Sequence, residues 1–180
     1  EPIHISSIKN TNDGIAGNIR NIYFSNITAN SGSGILIYAE KNDLIKNIKF
    51  KKIDLTIKNG TYTKKYGGNI DIRPSYSLDN SVFRFDISAF YGQNIKTLEI
   101  KKFKLKWGDE LPSFYTHAIE LKNFSDLIIK NFSGYPGPKN QKLSAIKLSN
   151  GDKILLKKTK TPIGYNLLKQ DDLKSITIKK

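Results

Sequence analysis

Ile22-Tyr23-Phe24-Ser25-Asn26-Ile27 sets apolar residues at every second position and closes on Asn followed by another apolar residue. The pattern returns as Ile48-Lys49-Phe50-Lys51-Lys52-Ile53, Leu98-Glu99-Ile100-Lys101-Lys102-Phe103 and Leu127-Ile128-Ile129-Lys130-Asn131-Phe132. It returns twice more, as Ile154-Leu155-Leu156-Lys157-Lys158-Thr159 and Ile176-Thr177-Ile178-Lys179-Lys180, with first residues 26, 50, 29, 27 and 22 positions apart. An alternation of period two marks strands, because a helical stripe would need apolar residues three and four apart. No segment sustains such a stripe.

A second short apolar segment precedes each copy: Ile3-His4-Ile5, Gly34-Ile35-Leu36-Ile37, Ala89-Phe90-Tyr91, Ala118-Ile119-Glu120-Leu121, Ala145-Ile146-Lys147-Leu148 and Gly164-Tyr165-Asn166-Leu167. A unit of strand, turn, strand and turn spanning ~25 residues cannot bury its own apolar side, but stacked units share a continuous core. The expected fold is therefore all-β, a parallel β-helix, in one domain over residues 1–180; a β-sandwich is the rival arrangement of short strands. Ile22, Ile48, Leu98, Leu127, Ile154 and Ile176 form one predicted inward column, and Phe24, Phe50, Ile100, Ile129, Leu156 and Ile178 the next. Asn26 and Asn131 fall at turns, where Asn accepts left-handed backbone and bonds between units. The 50-residue spacing places an inserted loop over residues 59–88, and insertions in repeats map to one face, often the binding face.

Composition narrows the chemistry. The 180 residues carry 30 Lys plus Arg against 16 Asp plus Glu, a formal charge of +14, with no Cys and two His. Disulfides, thiolate metal sites and cysteine nucleophiles are excluded, and His4 and His117 are too few for a transition-metal centre, so no metal is expected. No apolar run approaches the ~18 residues of a membrane helix, which predicts no membrane span. The Gly32-Ser33-Gly34 step lacks the third glycine of a dinucleotide loop and no phosphate loop occurs, so no cofactor is expected. No nucleic-acid module matches, and the repeats consume most aromatics as core, which disfavours nucleic acid as partner despite a pI of about 9.8.

Laid out in these units, the sequence resembles the polygalacturonase-like glycoside hydrolases, right-handed parallel β-helices of the pectin-lyase-like type. The phrases that carry the resemblance are Asn18-Ile19-Arg20-Asn21-Ile22-Tyr23-Phe24-Ser25-Asn26-Ile27-Thr28 and Gly67-Gly68-Asn69-Ile70-Asp71-Ile72-Arg73-Pro74. Asp86-Ile87-Ser88-Ala89-Phe90-Tyr91 leading to Trp107, and His117-Ala118-Ile119-Glu120, add to it. The resemblance covers the C-terminal portion of such enzymes. It implies inverting hydrolysis of an acidic polysaccharide, a pectin-type polyuronide, by two carboxylic acids, in an extracytoplasmic setting: secreted, periplasmic or cell-surface. The family's Asn-Thr-Asp, Asp-Asp and Gly-His-Gly signatures have no counterpart in place, and the resemblance puts them upstream of Glu1. No catalytic residue is therefore assigned, and the chain alone is expected to be inactive. The family's Arg-x-Lys falls on His4-Ile5-Ser6, without either basic residue, and its following Tyr falls on Ser33.

Four residues are candidates for substrate binding. His4 projects outward between Ile3 and Ile5. Arg73 is one of three Arg in the chain, against a Lys-rich background, and could grip a carboxylate bidentately. Trp107, beside Asp109 and Glu110, could stack on a sugar; as a lone Trp ending a strand it could equally cap the core. His117 has Glu120 nearby. Lys51, Lys101, Lys130, Lys157 and Lys179 hold equivalent outward positions, and stacking would bring their backbones within about 4.7 to 4.9 Å. Unit charges at that spacing repel by roughly 0.9 kcal/mol in water, a repulsion that splayed side chains or a bound polyanion would relieve. This column supports a second expectation, a non-catalytic glycan- or polyanion-binding β-helix of adhesin or tail-fibre kind. Unpaired terminal strands would favour self-association.

Overall fold

The computed structural model describes residues 1–9, 13–60 and 86–180. Arg73 and most of the predicted 59–88 insertion lie outside them. The described residues are all-β, with strands β1 (His4–Ser7), β2 (Ile19–Ser31), β3 (Ile35–Ala39), β4 (Ile45–Ile57), β5 (Phe90–Trp107), β6 (Ile119–Lys130), β7 (Ser144–Lys157), β8 (Asn166–Leu173) and β9 (Ile176–Lys179). Every strand pair is parallel. One path of pairing runs β1-β3-β5-β6-β7-β8, while β2 joins β4, β4 joins β5, and β9 joins β7.

Parallel pairing follows from the repeat, since like residues of successive units reach one core only when they align. Ile22 pairs with Ile48, Ile48 with Leu98, Leu98 with Leu127, Leu127 with Ile154 and Ile154 with Ile176. The Phe24 column aligns in the same way through Phe50, Ile100, Ile129, Leu156 and Ile178. From Ile48 to Ile154 and from Phe50 to Leu156 these side chains are buried. Ile22 and Phe24 on β2 are half-buried, and Ile178 on β9 is 57% exposed. Among the described residues, β2 and β9 each pair with only one strand, so each terminal member of a column packs on one neighbour.

Aromatic rings reinforce this core. Phe24 stacks on Phe50 at 5.0 Å, Phe50 meets Phe90 edge-on at 5.1 Å, and Phe103 stacks on Phe132 at 6.1 Å. Such offset and edge-on pairs add to the burial that makes the aliphatic columns favourable. Where β3 meets β5, Gly34 leaves no room for a side chain: a Cβ would strike the carbonyl oxygens of Ser88 and Ala89.

Two features depart from the sequence expectation. The last preceding segment pairs three residues later than expected: Ile146 aligns with Leu168 and Lys147 with Lys169. Gly164 instead sits in a turn with φ of +94°, and Leu167 and Leu168 supply the apolar pair that the register needs. The long strands also run through their bends without losing their pairing. Single left-handed residues make those bends, in three columns. Asn21, Asn47, Thr97, Asp126 and Lys153 form the first, with φ between 53° and 62°. Asn26, Lys52, Lys102, Asn131 and Lys158 form the second, with φ between 52° and 57°. Asn94, Asn123, Asn150 and Asp172 form the third, with φ between 52° and 58°.

Candidate functional site: a lysine-walled groove

The second bend column borders a basic surface. Immediately before it, Lys51, Lys101, Lys130, Lys157 and Lys179 stand on five consecutively paired strands, in the predicted register. Lys51, Lys157 and Lys179 are exposed; Lys101 and Lys130 are half-exposed. Among the described residues, Lys101 alone of the five forms an ion pair, with Glu99 at 2.6 Å.

Beyond the bend lies a groove of about 910 Å³, lined by the ends of β4 and β5 and by the segments that follow β6 and β7. Among the described residues its walls carry Lys104, Lys106, Lys158, Lys160 and Lys180 against one acidic side chain, Asp54. Local alternation explains the placement on β5. Lys104 and Lys106 flank inward-facing Leu105 on β5 and so project to one side, while Lys158, at the left-handed bend, and Lys160 follow the end of β7. Leu55, Leu105 and Phe132 form the base, with Phe132 1% exposed. Parallel bridges Lys104 to Ser133 and Ser133 to Lys160 fix the alignment of the walls. Long lysine stems cover apolar surface while their ammonium groups stay in water. The Lys-x-Lys steps at 104–106 and 158–160 were the available sequence signal, but the contact between them depends on the irregular segment after β6.

His4, Trp107 and His117, the predicted site residues that are described, lie elsewhere. His4 aligns through Leu36 with Tyr91, Glu120 and Lys147 on the β1-β3-β5-β6-β7 path. Its Nδ1 lies 2.7 Å from Glu1 Oε1, and its buried Nε2 has no hydrogen-bond partner among the described residues. Glu120 is the centre of a polar cluster, accepting from Ser88 Oγ at 2.8 Å and from Lys147 Nζ at 2.8 Å. Burial and then the nearby charge of Glu120 push the Asp86 carboxyl above its ordinary value. Burial opposes the charge on Lys147, but the Glu120 hydrogen bond and field outweigh it and raise that ammonium.

His117 is 5% exposed, and its Nδ1 lies 2.7 Å from the Ser144 carbonyl oxygen. Burial lowers its pKa, against the opposing pull of that carbonyl and of Glu120. Trp107 is 4% exposed, donates its indole N–H to Tyr135 O at 2.8 Å and packs edge-on against Tyr115. An indole held this way caps the core and offers no open face to a sugar. The structure thus brings His4 into a column with Glu120, buries Trp107 and His117, and gathers none of the three into the lysine groove. Among the described residues, no group of three His, Asp or Glu is placed to hold a metal ion, and no helix is long and apolar enough to cross a membrane.

Compared with protein-family models, curated proteins and solved structures, the chain matches none.

Proposed function

We propose that the chain is a C-terminal section of a right-handed parallel β-helix that binds acidic polysaccharide of the pectin type outside the cytoplasm, similar to the polygalacturonase-like glycoside hydrolases. On this reading the hydrolytic carboxylates lie upstream of Glu1, and this section contributes scaffold and glycan binding. The in-register parallel stacking of the repeats supports the β-helix. The observation that carries the binding function is the groove, in which, among the described residues, five lysines stand against one acidic side chain. Such a surface attracts polyanions and has little to offer a neutral chain. His4 and Arg73 belong to the resemblance-based part of the proposal; His4 lies outside the groove and Arg73 outside the described residues.

Affinity electrophoresis through polygalacturonate and through neutral dextran tests the reading. Retardation by polygalacturonate alone, weakening as salt rises, is the expected result. Equal migration in both gels would remove it. The same preparation is expected to release no reducing ends from polygalacturonate.

A further inference from the structure

We propose that the acidic glycan lies along the strand-stacking direction, over the Lys51–Lys179 column and the groove beside it, and engages one anionic group per repeat. This rests on the acidic-polysaccharide reading and adds the orientation and the charge spacing that the site selects.

The column supplies the spacing. Five lysines on consecutively paired strands repeat at the strand-to-strand distance, about 4.7 to 4.9 Å. Without a ligand that row is self-repelling, relieved only at Lys101 by its pair with Glu99 among the described residues. A linear chain carrying one acid per sugar, laid across the strands, would offer each lysine a partner without asking any of them to splay.

The bend next to the column adds charge to the same surface. Its five equivalent residues are Asn26, Lys52, Lys102, Asn131 and Lys158, all with positive φ. Asn visits this backbone readily and Lys does not, because its longer side chain makes no compensating local hydrogen bond. In a chain that places Asn at two of these five positions, Lys at the other three accepts backbone strain and adds a second cation beside Lys51, Lys101 and Lys157. Lys158 and Asn131 also form part of the groove wall, so column, bend and groove are one continuous surface.

The residue type narrows the occupant. Among the described residues the track contains Lys and no Arg, so it presents point charges rather than the planar forks that grip individual phosphates or carboxylates bidentately. It therefore selects charge density along a chain. The groove's aromatic residue, Phe132, is 1% exposed and offers no stacking platform for unpaired bases. An acidic glycan fits both conditions; single-stranded nucleic acid finds no exposed aromatic face within the groove, and at the column it meets Tyr23, 56% exposed beside Lys51.

Calorimetric titration of the full chain with size-fractionated oligogalacturonides, at low salt, tests this. Affinity should rise with each added sugar and level off once the oligomer spans the five lysines. Lys101→Gln and Lys130→Gln should each weaken the long oligomer by about twofold to fivefold and leave the dimer unchanged. Lys41→Gln, at an exposed position away from the track, should alter neither. Affinity independent of length, or equal losses in all three variants, would overturn the track while leaving acidic-glycan binding in place. Absence of binding to oligomers of every length would overturn the acidic-polysaccharide reading itself. A single-stranded oligonucleotide binding as tightly, with the same dependence on Lys101 and Lys130, would overturn the glycan as occupant.

Discussion

Lys102 has a φ of 55° on a strand whose neighbours in the same bend include Asn131 at 54°. Replacing it with Asn should relieve strain and stabilise the fold by about 1 kcal/mol, visible as a higher melting temperature, while removing one cation from the basic surface. A lower melting temperature for Lys102→Asn would show that the lysine stem contributes more through packing than the backbone loses. His117 makes a prediction of opposite kind. Its folded pKa lies below the ordinary 6.5, so between that lowered value and 6.5 the unfolded chain binds more protons than the folded one. Stability must then fall as pH drops through this window, by at most about 1.4 kcal/mol per pH unit from one group. Asp86, with its pKa raised, works in the other direction: its contribution declines as pH rises through the raised value, at the acid end of the range. His117→Gln should flatten the melting-temperature profile between pH 7 and pH 5; an unchanged slope would place the acid sensitivity elsewhere.

The bends are the elements that hold the strands in register. Asn123 donates its side-chain amide to Asn94 at 3.0 Å and accepts from Asn150 at 3.1 Å, and Asn94 donates to Ala39 O at 2.6 Å. All three asparagines have left-handed backbone. Two separable effects meet at Asn123: Asn123→Gly removes the amide bonds but suits the backbone, whereas Asn123→Ala loses both. The alanine variant should be less stable than the glycine variant by roughly 1 kcal/mol in denaturant titration. Equal losses would mean that the amide ladder alone matters. Strand identity and column register were legible in the sequence because alternation and repetition carry the same message at Ile48, Leu98 and Leu127. The β8 register was not, since Gly164-Tyr165 and Leu167-Leu168 offer similar short patterns and only packing against Ile146 selects between them. Left-handed bends were legible at Asn26 and Asn131 and illegible at Lys52, Lys102 and Lys158, where the residue gives no local sign of its backbone.

For the whole molecule, the lysine column could be read directly from the repeats, whereas the groove could not. Its two walls come from residues 104–106 and 158–160, and their approach depends on how the segment around Phe132 and Ser133 bridges them. Trp107 and His117 stood out by rarity, and the structure places both in the interior, where a rare residue can serve packing as well as chemistry. Burial sorts these candidates: the rare aromatic and imidazole groups turn inward, and common lysines, aligned by the repeat, make the surface. The proposed acidic-glycan binding therefore belongs to one face of the molecule. Lysine acetylation followed by mass spectrometry, with and without polygalacturonate at low salt, measures this face by face. The account predicts protection of Lys51, Lys104, Lys130, Lys157 and Lys160, with Lys41 and Lys174 labelled equally in both conditions. Uniform protection of all lysines, or protection confined to Lys41 and Lys174, would contradict it.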